Sequence, residues 1–258
     1  MKLLAADYDG TLRYQDTVTE EDINALTLWR NAGNLFVIDT GRSMESILEE
    51  VNRYKIPVDY FVTNNGGMAF DRNQKELYSS YLERIMSLDI MYIAQEIGGV
   101  VSYVVNDGFR RHRIIVDKEL TEKRYPSLEP DMTFEELTAM DRYAQIVISM
   151  AEKEYAGDLA ERINEHFPDA VEAYANKYVV DVVPKGISKA DGLARIVKPT
   201  GIAEEDVYTV GDADNDIPLI MYGCNGYCMD MAEEHVKAHA RHTCRCIAEM
   251  VRKILETE

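Results

Sequence analysis

The sequence predicts an α/β protein with a doubly wound parallel sheet, interrupted by a separate α+β segment. Apolar runs of strand length alternate with capped helical segments up to Thr63, which is typical of a parallel sheet. Hairpin signals then replace this alternation, and it returns after Pro184. With 258 residues, of which 46% are hydrophobic and 29% charged, the chain is long enough for both parts to bury a core.

The amino-terminal part supplies three strands of the predicted parallel sheet. Thr19 and Ser43 each precede a helical segment and suit the N-cap position, because their hydroxyl oxygens can accept a hydrogen bond from the first turn. The predicted elements are a strand over 3–6, a helix over about 20–31, a strand over 35–38, a helix to about 54 and a strand over 60–63.

The middle of the chain predicts antiparallel pieces. Asn106-Asp107-Gly108 lies between two apolar runs and is a strong signal for a β-hairpin. The predicted elements are a hairpin of 68–70 with 77–81, a helix over 82–97, strands over 100–105 and 109–116, a loop over 125–131, a strand over 143–150, a helix over 153–167 and two strands within 170–183. Antiparallel pieces between parallel units indicate a separate α+β layer.

The carboxy-terminal part resumes the parallel pattern. Ser188 is a suitable cap for a helix over about 189–197. A strand over 207–210, a helix, a short strand over 227–229 and a terminal helix to Glu258 complete the prediction.

Charge and composition exclude several classes of function. A net charge of −18 argues against a nucleic-acid surface, which would need a basic stripe. No apolar stretch approaches the ~18 residues that cross a bilayer, and Asp7 and Asp9 interrupt any signal-peptide core. We therefore expect a cytoplasmic protein that binds neither nucleic acid nor membrane and is a monomer or weak homo-oligomer.

All four cysteines lie between Cys224 and Cys246, with three histidines among them. This is not the pattern of a secreted disulfide framework, which supports a reducing compartment. Zinc is an alternative for this segment, but the C-x3-C and C-x-C spacings match no common structural zinc site. Buried or partly exposed thiols are the preferred interpretation.

Acidic residues end the first strand. Asp7 and Asp9 follow an apolar run directly, and Gly10 and Thr11 come next. A carboxylate at the mouth of a buried strand loses hydration unless a cation or hydrogen bond replaces it, so this pattern indicates a nearby cation. An acidic turn without function is the alternative.

Three further polar clusters occupy corresponding places at strand ends or helix starts: Thr40, Lys189, and the group Asp212, Asn215 and Asp216. In a doubly wound sheet such positions meet at one edge, where ligands bind. Together they supply a nucleophile, a cation site, hydroxyl and amide donors and a lysine, which phosphoryl transfer requires. Taken singly, Thr40 could be a strand-end hydroxyl and Lys189 a solvated first-turn lysine.

In these residues the chain resembles the haloacid dehalogenase superfamily of phosphohydrolases, specifically its Cof-type subfamily. The motifs keep that family's order and spacing along the whole chain: Asp7-Tyr8-Asp9-Gly10-Thr11, Thr40-Gly41-Arg42, Asn65-Gly66-Gly67, Ser188-Lys189 and Gly211-Asp212-Ala213-Asp214-Asn215-Asp216. The resemblance implies a Rossmann-like core of residues 1–80 and 184–258, and an inserted cap over 81–183 that selects the substrate and closes over the core.

The resemblance also implies catalytic roles. Asp7 would attack phosphorus and become an aspartyl phosphate, Asp9 would act as acid and then base, and Lys189 would neutralise the phosphoryl group. Mg²⁺ would be held by Asp7, the Asp9 carbonyl and Asp212, with Asp216 orienting the loop or a metal-bound water. Carboxylate and water ligands independently suit a hard cation. The residues expected to bind substrate are Thr11, Thr40, Gly41, Arg42, Asn65 and Asn215.

The predicted function is a magnesium-dependent phosphatase for small phosphorylated metabolites such as sugar phosphates. The alternatives are a phosphosugar mutase and a phosphoacceptor signalling switch. The presence of Asp9 argues against the switch, because a long-lived aspartyl phosphate should lack a nearby acid or base. Tyr8 departs from the family pattern, which usually has an aliphatic residue there. In the middle segment, Arg111 and Arg113 share one strand face and would either be solvated or grip a second anionic group.

Overall fold

A computed structural model describes residues 1–256. The chain forms two compact units, one of Met1–Tyr78 with the chain from Ser188 onward, and one of Ser79–Ile187. We call these the core unit and the inserted unit. The boundaries expected from the sequence were 80/81 and 183/184.

The strands and helices have the following bounds. The strands are β1 Leu3–Ala6, β2 Leu35–Asp39, β3 Tyr60–Thr63, β4 Met68–Asp71, β5 Glu76–Ser79, β6 Val100–Asn106, β7 Arg111–Ile115, β8 Gln145–Met150, β9 Val171–Asn176, β10 Val179–Pro184, β11 Val207–Gly211, β12 Asn225–Met229 and β13 His242–Cys244. The helices are α1 Glu20–Asn31, α2 Met44–Tyr54, α3 Arg84–Ile97, α4 Phe134–Thr138, α5 Lys153–His166, α6 Lys189–Thr200, α7 Ile217–Ile220, α8 Glu234–Lys237 and α9 Ile247–Glu256.

The core unit is built on one sheet in the order β13-β12-β11-β1-β2-β3-β4-β5. The strands from β13 to β3 are parallel, and β4 is antiparallel to β3. All four residues of β1 are buried, as expected for a central parallel strand covered on both faces. Leu193 of α6 packs on the face of Leu3 and Val207, and Trp29 of α1 meets Tyr208 on the other face.

The inserted unit is built on an antiparallel sheet in the order β7-β6-β8-β10-β9. The helices α3 and α5 cover one face, where Ile90, Leu159 and Ile163 join the buried residues of the strands. On the other face Tyr125 and Leu128 pack against Val104 and Val147. This confirms the fold class, a doubly wound parallel sheet with an inserted α+β unit.

Several short elements are absent from the sequence prediction. These are α4, α8 and β13; α4 begins with a capping box between Thr133 and Glu136. The helix α6 continues to Thr200 with Pro199 in its last turn, beyond the predicted end near Val197. The terminal helix is described to Glu256, and its predicted end at Glu258 lies outside the described residues.

Arg113 is neither solvated nor free to grip an anionic group, the two roles predicted for it. It is buried, forms an ion pair with Glu122 at 3.4 Å and donates to the Leu128 carbonyl. Its guanidinium therefore holds the segment that covers this sheet face, and the predictions of a solvated or substrate-gripping Arg113 are wrong.

The cysteine-rich segment places its thiols on separate elements. Cys228 of β12 and Cys244 of β13 are buried, Cys224 is exposed, and all four cysteines are free. Burial raises the pKa of the Cys228 thiol to about 11 and that of Cys244 to about 12. No helix within residues 1–256 has both the length and the apolar character needed to span a bilayer.

Candidate active site

The site lies where the parallel strands of the core unit end. Asp7 follows β1, Thr40 follows β2, Asn65 follows β3 and Asp212 follows β11. Carboxyl ends of parallel strands meet at one sheet edge, and this sheet order makes β11, β1, β2 and β3 neighbours. Lys189 joins them from the first turn of α6.

Lys189 is the centre of the site. Its side chain is fully buried, and Nζ lies 2.5 Å from Asp7 Oδ1 and 2.5 Å from Asp216 Oδ1. Burial alone would lower the pKa of Lys189, but the charges of Asp216, Asp7 and Asp39 outweigh burial and raise it. A lysine at a helix N-terminus opposes the helix dipole, so these carboxylates are what keep it charged.

The carboxylates outnumber that single ammonium group. Burial, followed by the charge of Asp216, raises the pKa of Asp7 well above its ordinary value despite Lys189. Burial likewise raises the pKa of Asp212. The Asp216 carboxylate is oriented by the backbone, because the N–H groups of Asp212 and Ala213 donate to its Oδ2 at 2.9 and 3.0 Å.

This acidic group fits a divalent cation. Ligand atoms of Asp7, Asp212 and Asp216 lie within 4.8 Å of one another, and within residues 1–256 no other group of three or more His, Cys, Asp or Glu is so close. The buried Oδ2 of Asp7 has no hydrogen-bond partner. A hard cation prefers such carboxylate oxygens.

Asp9 is placed differently from Asp7. Its side chain is 45% exposed, and Arg42 binds both oxygens, with Nε to Oδ2 at 2.6 Å and Nη2 to Oδ1 at 2.7 Å. Burial pushes the pKa of Asp9 upward, but the hydrogen bonds and charge of Arg42 outweigh it and lower the pKa. Gly10 follows at φ +101°, and a side chain there would overlap the Asp212 carboxylate.

The predicted substrate-binding residues fall into two sets. Thr11 and Arg42 are engaged with acids, since the Thr11 hydroxyl donates to Asp212 Oδ1 at 2.8 Å and Arg42 binds Asp9. The others form a polar rim: Asn215 Nδ2 donates to Asn65 Oδ1 at 3.1 Å, and a side chain at Gly41 would stand 2.9 Å from that oxygen.

Thr40 belongs to this rim through its backbone. Its carbonyl accepts from the Asn65 N–H at 3.1 Å, and its hydroxyl accepts from the Arg42 N–H at 3.2 Å. All the predicted site residues are thus in the core unit, in interlocking contacts.

Asp39 is a site residue that sequence reasoning missed. It is 0% exposed, and neither carboxylate oxygen has a hydrogen-bond partner. Burial raises its pKa well above the ordinary value, Lys189 opposes this rise, and the charges of Asp216 and Asp7 add to it. An aspartate that ends the apolar run Leu35–Ile38 was the available signal.

Tyr8 and Glu50 were missed as a pair. Tyr8 is fully buried, and its hydroxyl donates to Glu50 Oε2 at 2.6 Å. Burial and the acceptor Glu50 raise the pKa of this phenol, so it stays a neutral donor. The two residues lie on β1's extension and on α2, and no local pattern joins them.

Comparisons with known proteins identify the family of the chain. The family model of haloacid dehalogenase-like hydrolases matches residues 4–250. The chain is 24% identical to the 5-amino-6-(5-phospho-D-ribitylamino)uracil phosphatase YcsE of Bacillus subtilis, over 93% of this chain and 88% of that protein.

Two solved structures share the fold. A haloacid dehalogenase-like hydrolase from Bacteroides thetaiotaomicron superposes with a TM-score of 0.85 at 20% identity, covering 98% of this chain and 99% of the other. The sugar phosphatase BT4131, of HAD subclass IIB, gives 0.80 at 22% identity, covering 100% and 99%. The family match spans nearly the whole chain, and the protein therefore belongs to the haloacid dehalogenase-like hydrolases, the family that its motifs predict.

Proposed function

We propose that the chain is a magnesium-dependent phosphomonoesterase that acts on small phosphorylated metabolites through a phosphorylated Asp7. The observation that carries this proposal is the buried cluster in which Lys189 bridges Asp7 and Asp216. A carboxylate nucleophile beside a fixed ammonium is suited to phosphoryl transfer, where positioning and charge stabilisation supply most of the catalysis.

The proposed reaction has two half-reactions. An oxygen of Asp7 attacks phosphorus, the bond to the leaving oxygen breaks, and Asp9 gives that oxygen its proton. Because Arg42 lowers the pKa of Asp9, Asp9 first takes this proton from the monoanionic phosphate ester as it binds. Water then attacks phosphorus, gives a proton to Asp9, and the bond from phosphorus to Asp7 breaks to release phosphate. One carboxylate can serve both steps, because it is left as a base by the first.

Asp7, Asp212 and Asp216 would hold the magnesium ion, together with the Asp9 carbonyl. The unpartnered Asp7 Oδ2 and the excess of carboxylates over ammonium support this assignment. When bound, the ion supplies positive charge against the phosphate dianion. Lys189 then neutralises the remaining charge on the transferred group, while the rim of Thr40, Gly41, Asn65 and Asn215 is suited to donate hydrogen bonds to phosphate oxygens.

The substrate class is proposed from the relatives. YcsE is named for a phosphoribityl compound and BT4131 for sugar phosphates, so both names describe a phosphate ester on a polyhydroxylated carbon chain. We propose the same class for this chain. Release of inorganic phosphate from a panel of sugar and polyol phosphates tests it, with nucleotide and amino-acid phosphates as the comparison set.

Chelation tests the metal. Hydrolysis of an aryl phosphate should stop in chelator and return with Mg²⁺, and the midpoint of thermal unfolding should rise with Mg²⁺, since a ligand that binds only the folded state stabilises it by about 2.7 kcal/mol at 100 times its Kd. Asp212→Asn should lose both responses. Asp214→Asn is the matched control, because Asp214 is an exposed acid of the same loop. Full activity in chelator would contradict the proposal.

Asp9→Asn separates the phosphatase from the two alternatives. The variant keeps the backbone carbonyl and nearly the same shape, and turnover should fall by roughly 10²–10⁴ while Asp7 stays phosphorylated longer. Steady-state phosphate release and intact-protein mass measure both. A stable phosphoprotein with almost no turnover in the wild type, unchanged by Asp9→Asn, would establish the switch. Conversion of the substrate to an isomeric phosphate ester, with no release of free phosphate, would establish the mutase.

A further inference from the structure

The Asp9 carboxylate is part of a closed ring of side chains. Arg42 binds both of its oxygens, at 2.6 and 2.7 Å. A bidentate arginine–carboxylate pair fixes the plane of the carboxylate as well as its position. Since the Asp9 side chain is 45% exposed, this pair is the main restraint on its orientation.

Arg42 is fixed by the residue between the two acids. Its guanidinium carbon lies 4.9 Å from the centre of the Tyr8 ring, within the range of a cation–π contact. Nη1 adds a long contact of 3.5 Å to Ser46 Oγ. An aliphatic residue at position 8 would offer no ring for this cation.

Tyr8 is fixed by Glu50, which closes the ring. The Tyr8 hydroxyl donates to Glu50 Oε2 at 2.6 Å, and the Glu50 side chain is only 15% exposed. Arg13 Nε lies 3.5 Å from the same Glu50 oxygen, and Arg13 Nη1 lies 3.4 Å from Asp9 Oδ1. The ring therefore runs from Asp9 through Arg42, Tyr8, Glu50 and Arg13 back to Asp9.

We propose that Tyr8 and Glu50 are positioning residues, which act through Arg42 to present Asp9 to the leaving and attacking oxygens. The inference rests on the proposed phosphatase function. It also gives Arg42 a role toward Asp9, beyond the substrate binding expected from its motif. Neither Tyr8 nor Glu50 needs to touch the substrate for this role.

A tyrosine hydroxyl can be removed without emptying the core. Tyr8→Phe keeps the aromatic ring beside Arg42 and loses only the hydrogen bond to Glu50. Because one hydrogen bond contributes about 1 kcal/mol, kcat for an alkyl phosphate should fall about fivefold. KM should not change, because Asp9 acts on an oxygen that changes charge only in the transition state. A nitrophenyl phosphate should lose less, since its leaving oxygen needs little protonation.

The matched control is Tyr54→Phe. It removes a tyrosine hydroxyl from α2 that bonds the Asp16 carbonyl at 3.4 Å and lies outside the ring, so the alkyl and aryl rates should both stay at wild-type values. Glu50→Gln and Glu50→Leu form a second pair: the glutamine keeps an acceptor for Tyr8 and should keep most of the rate, whereas the leucine should not.

The decisive measurement is the double variant. Because Tyr8 acts through Asp9, Tyr8→Phe should lower kcat in the wild-type background and have no effect in Asp9→Asn. An equal loss in both backgrounds, an unchanged alkyl rate in Tyr8→Phe, or a rate that rises when the ring is loosened would each overturn the inference and leave the phosphatase proposal standing. A wild type without hydrolysis of any phosphate ester would overturn both.

Discussion

Buried charge is arranged differently in the two units. In the core unit, one ammonium group, Lys189, bridges Asp7 and Asp216, with the buried Asp39 near enough to shift its pKa. In the inserted unit, the buried Arg113 faces one carboxylate, Glu122, and one backbone carbonyl. The second arrangement is balanced and fixes a covering segment. The first leaves carboxylates in excess, which costs folding free energy and marks the place where a cation would bind.

Lys189→Met, with Arg113→Met as its counterpart, should give the largest effect. Removing one partner of a buried pair costs about 3–5 kcal/mol, so both variants should unfold more easily in chelator. Only the Lys189→Met deficit relative to wild type should shrink in Mg²⁺, because a bound cation can replace the missing ammonium charge. Phosphatase activity should be lost in Lys189→Met. Thermal unfolding with and without Mg²⁺ measures the comparison, and an equal Mg²⁺ response of both deficits would break it.

Asp39→Asn should stabilise the core unit at neutral pH. Burial raises the pKa of Asp39 well above its ordinary value, so the folded state binds its proton more tightly than the unfolded state. Stability therefore falls as pH rises from the unfolded-state pKa toward the folded-state pKa, by at most about 1.4 kcal/mol per pH unit. The variant should gain over wild type at pH 8 and show little difference at pH 4 in urea unfolding.

Asp59→Asn is the control for Asp39. Asp59 is also buried in the core unit, but Arg30 donates to both oxygens at 2.9 and 2.7 Å and the Phe36 N–H donates at 3.0 Å. Loss of these charge-assisted bonds should destabilise the protein by about 1–3 kcal/mol at neutral pH. If Asp59→Asn stabilised the protein as much as Asp39→Asn, the hydrogen-bond partners would not decide whether such a substitution stabilises or destabilises the core unit.

Asp181→Asn is the corresponding variant in the inserted unit. Burial raises the pKa of Asp181 to about 6, against the charge of Arg124 and the bond from Gln145; Gln145 Nε2 donates to Asp181 Oδ1 at 2.8 Å. As pH rises from about 4 to 6, the free energy of unfolding of the wild type should fall, because the folded state binds the Asp181 proton more tightly than the unfolded state. Asp181→Asn should not show this fall. Urea unfolding between pH 4.5 and 7.5 measures the difference, and parallel curves would contradict the expectation.

The sequence predicts what depends on local pattern. Apolar runs located β1, β2, β3 and β11, and the residues that follow them proved to be the ones that meet at the sheet edge. Short elements such as α4 and β13 carry too few residues for a periodic signal. Arg113 was predicted to share a strand face with Arg111, but the segment that covers Arg113, around Glu122 and Leu128, depends on tertiary packing and has no local pattern.

Two parts of the site were not predicted from the sequence. The Tyr8–Glu50 bond joins residues 42 positions apart, and neither residue type predicts the other. Asp39 was visible as an acid at the end of an apolar strand, yet only the fold shows that both of its oxygens lack partners. The convergence of the predicted site residues could be predicted because polar residues at strand ends meet at one edge of a parallel sheet.

The position of β1 between β2 and β11 has a consequence for folding. β1 pairs with β2 early in the chain, but its other neighbour, β11, lies some two hundred residues further along. At ribosomal speeds of about 5–20 residues per second, that edge of β1 waits roughly 10–40 s for its partner. The inserted unit, continuous in sequence from Ser79 to Ile187, is synthesised within that interval. The nascent chain thus holds β1 with one edge unpaired while a whole unit emerges, and an unpaired apolar strand is a template for aggregation.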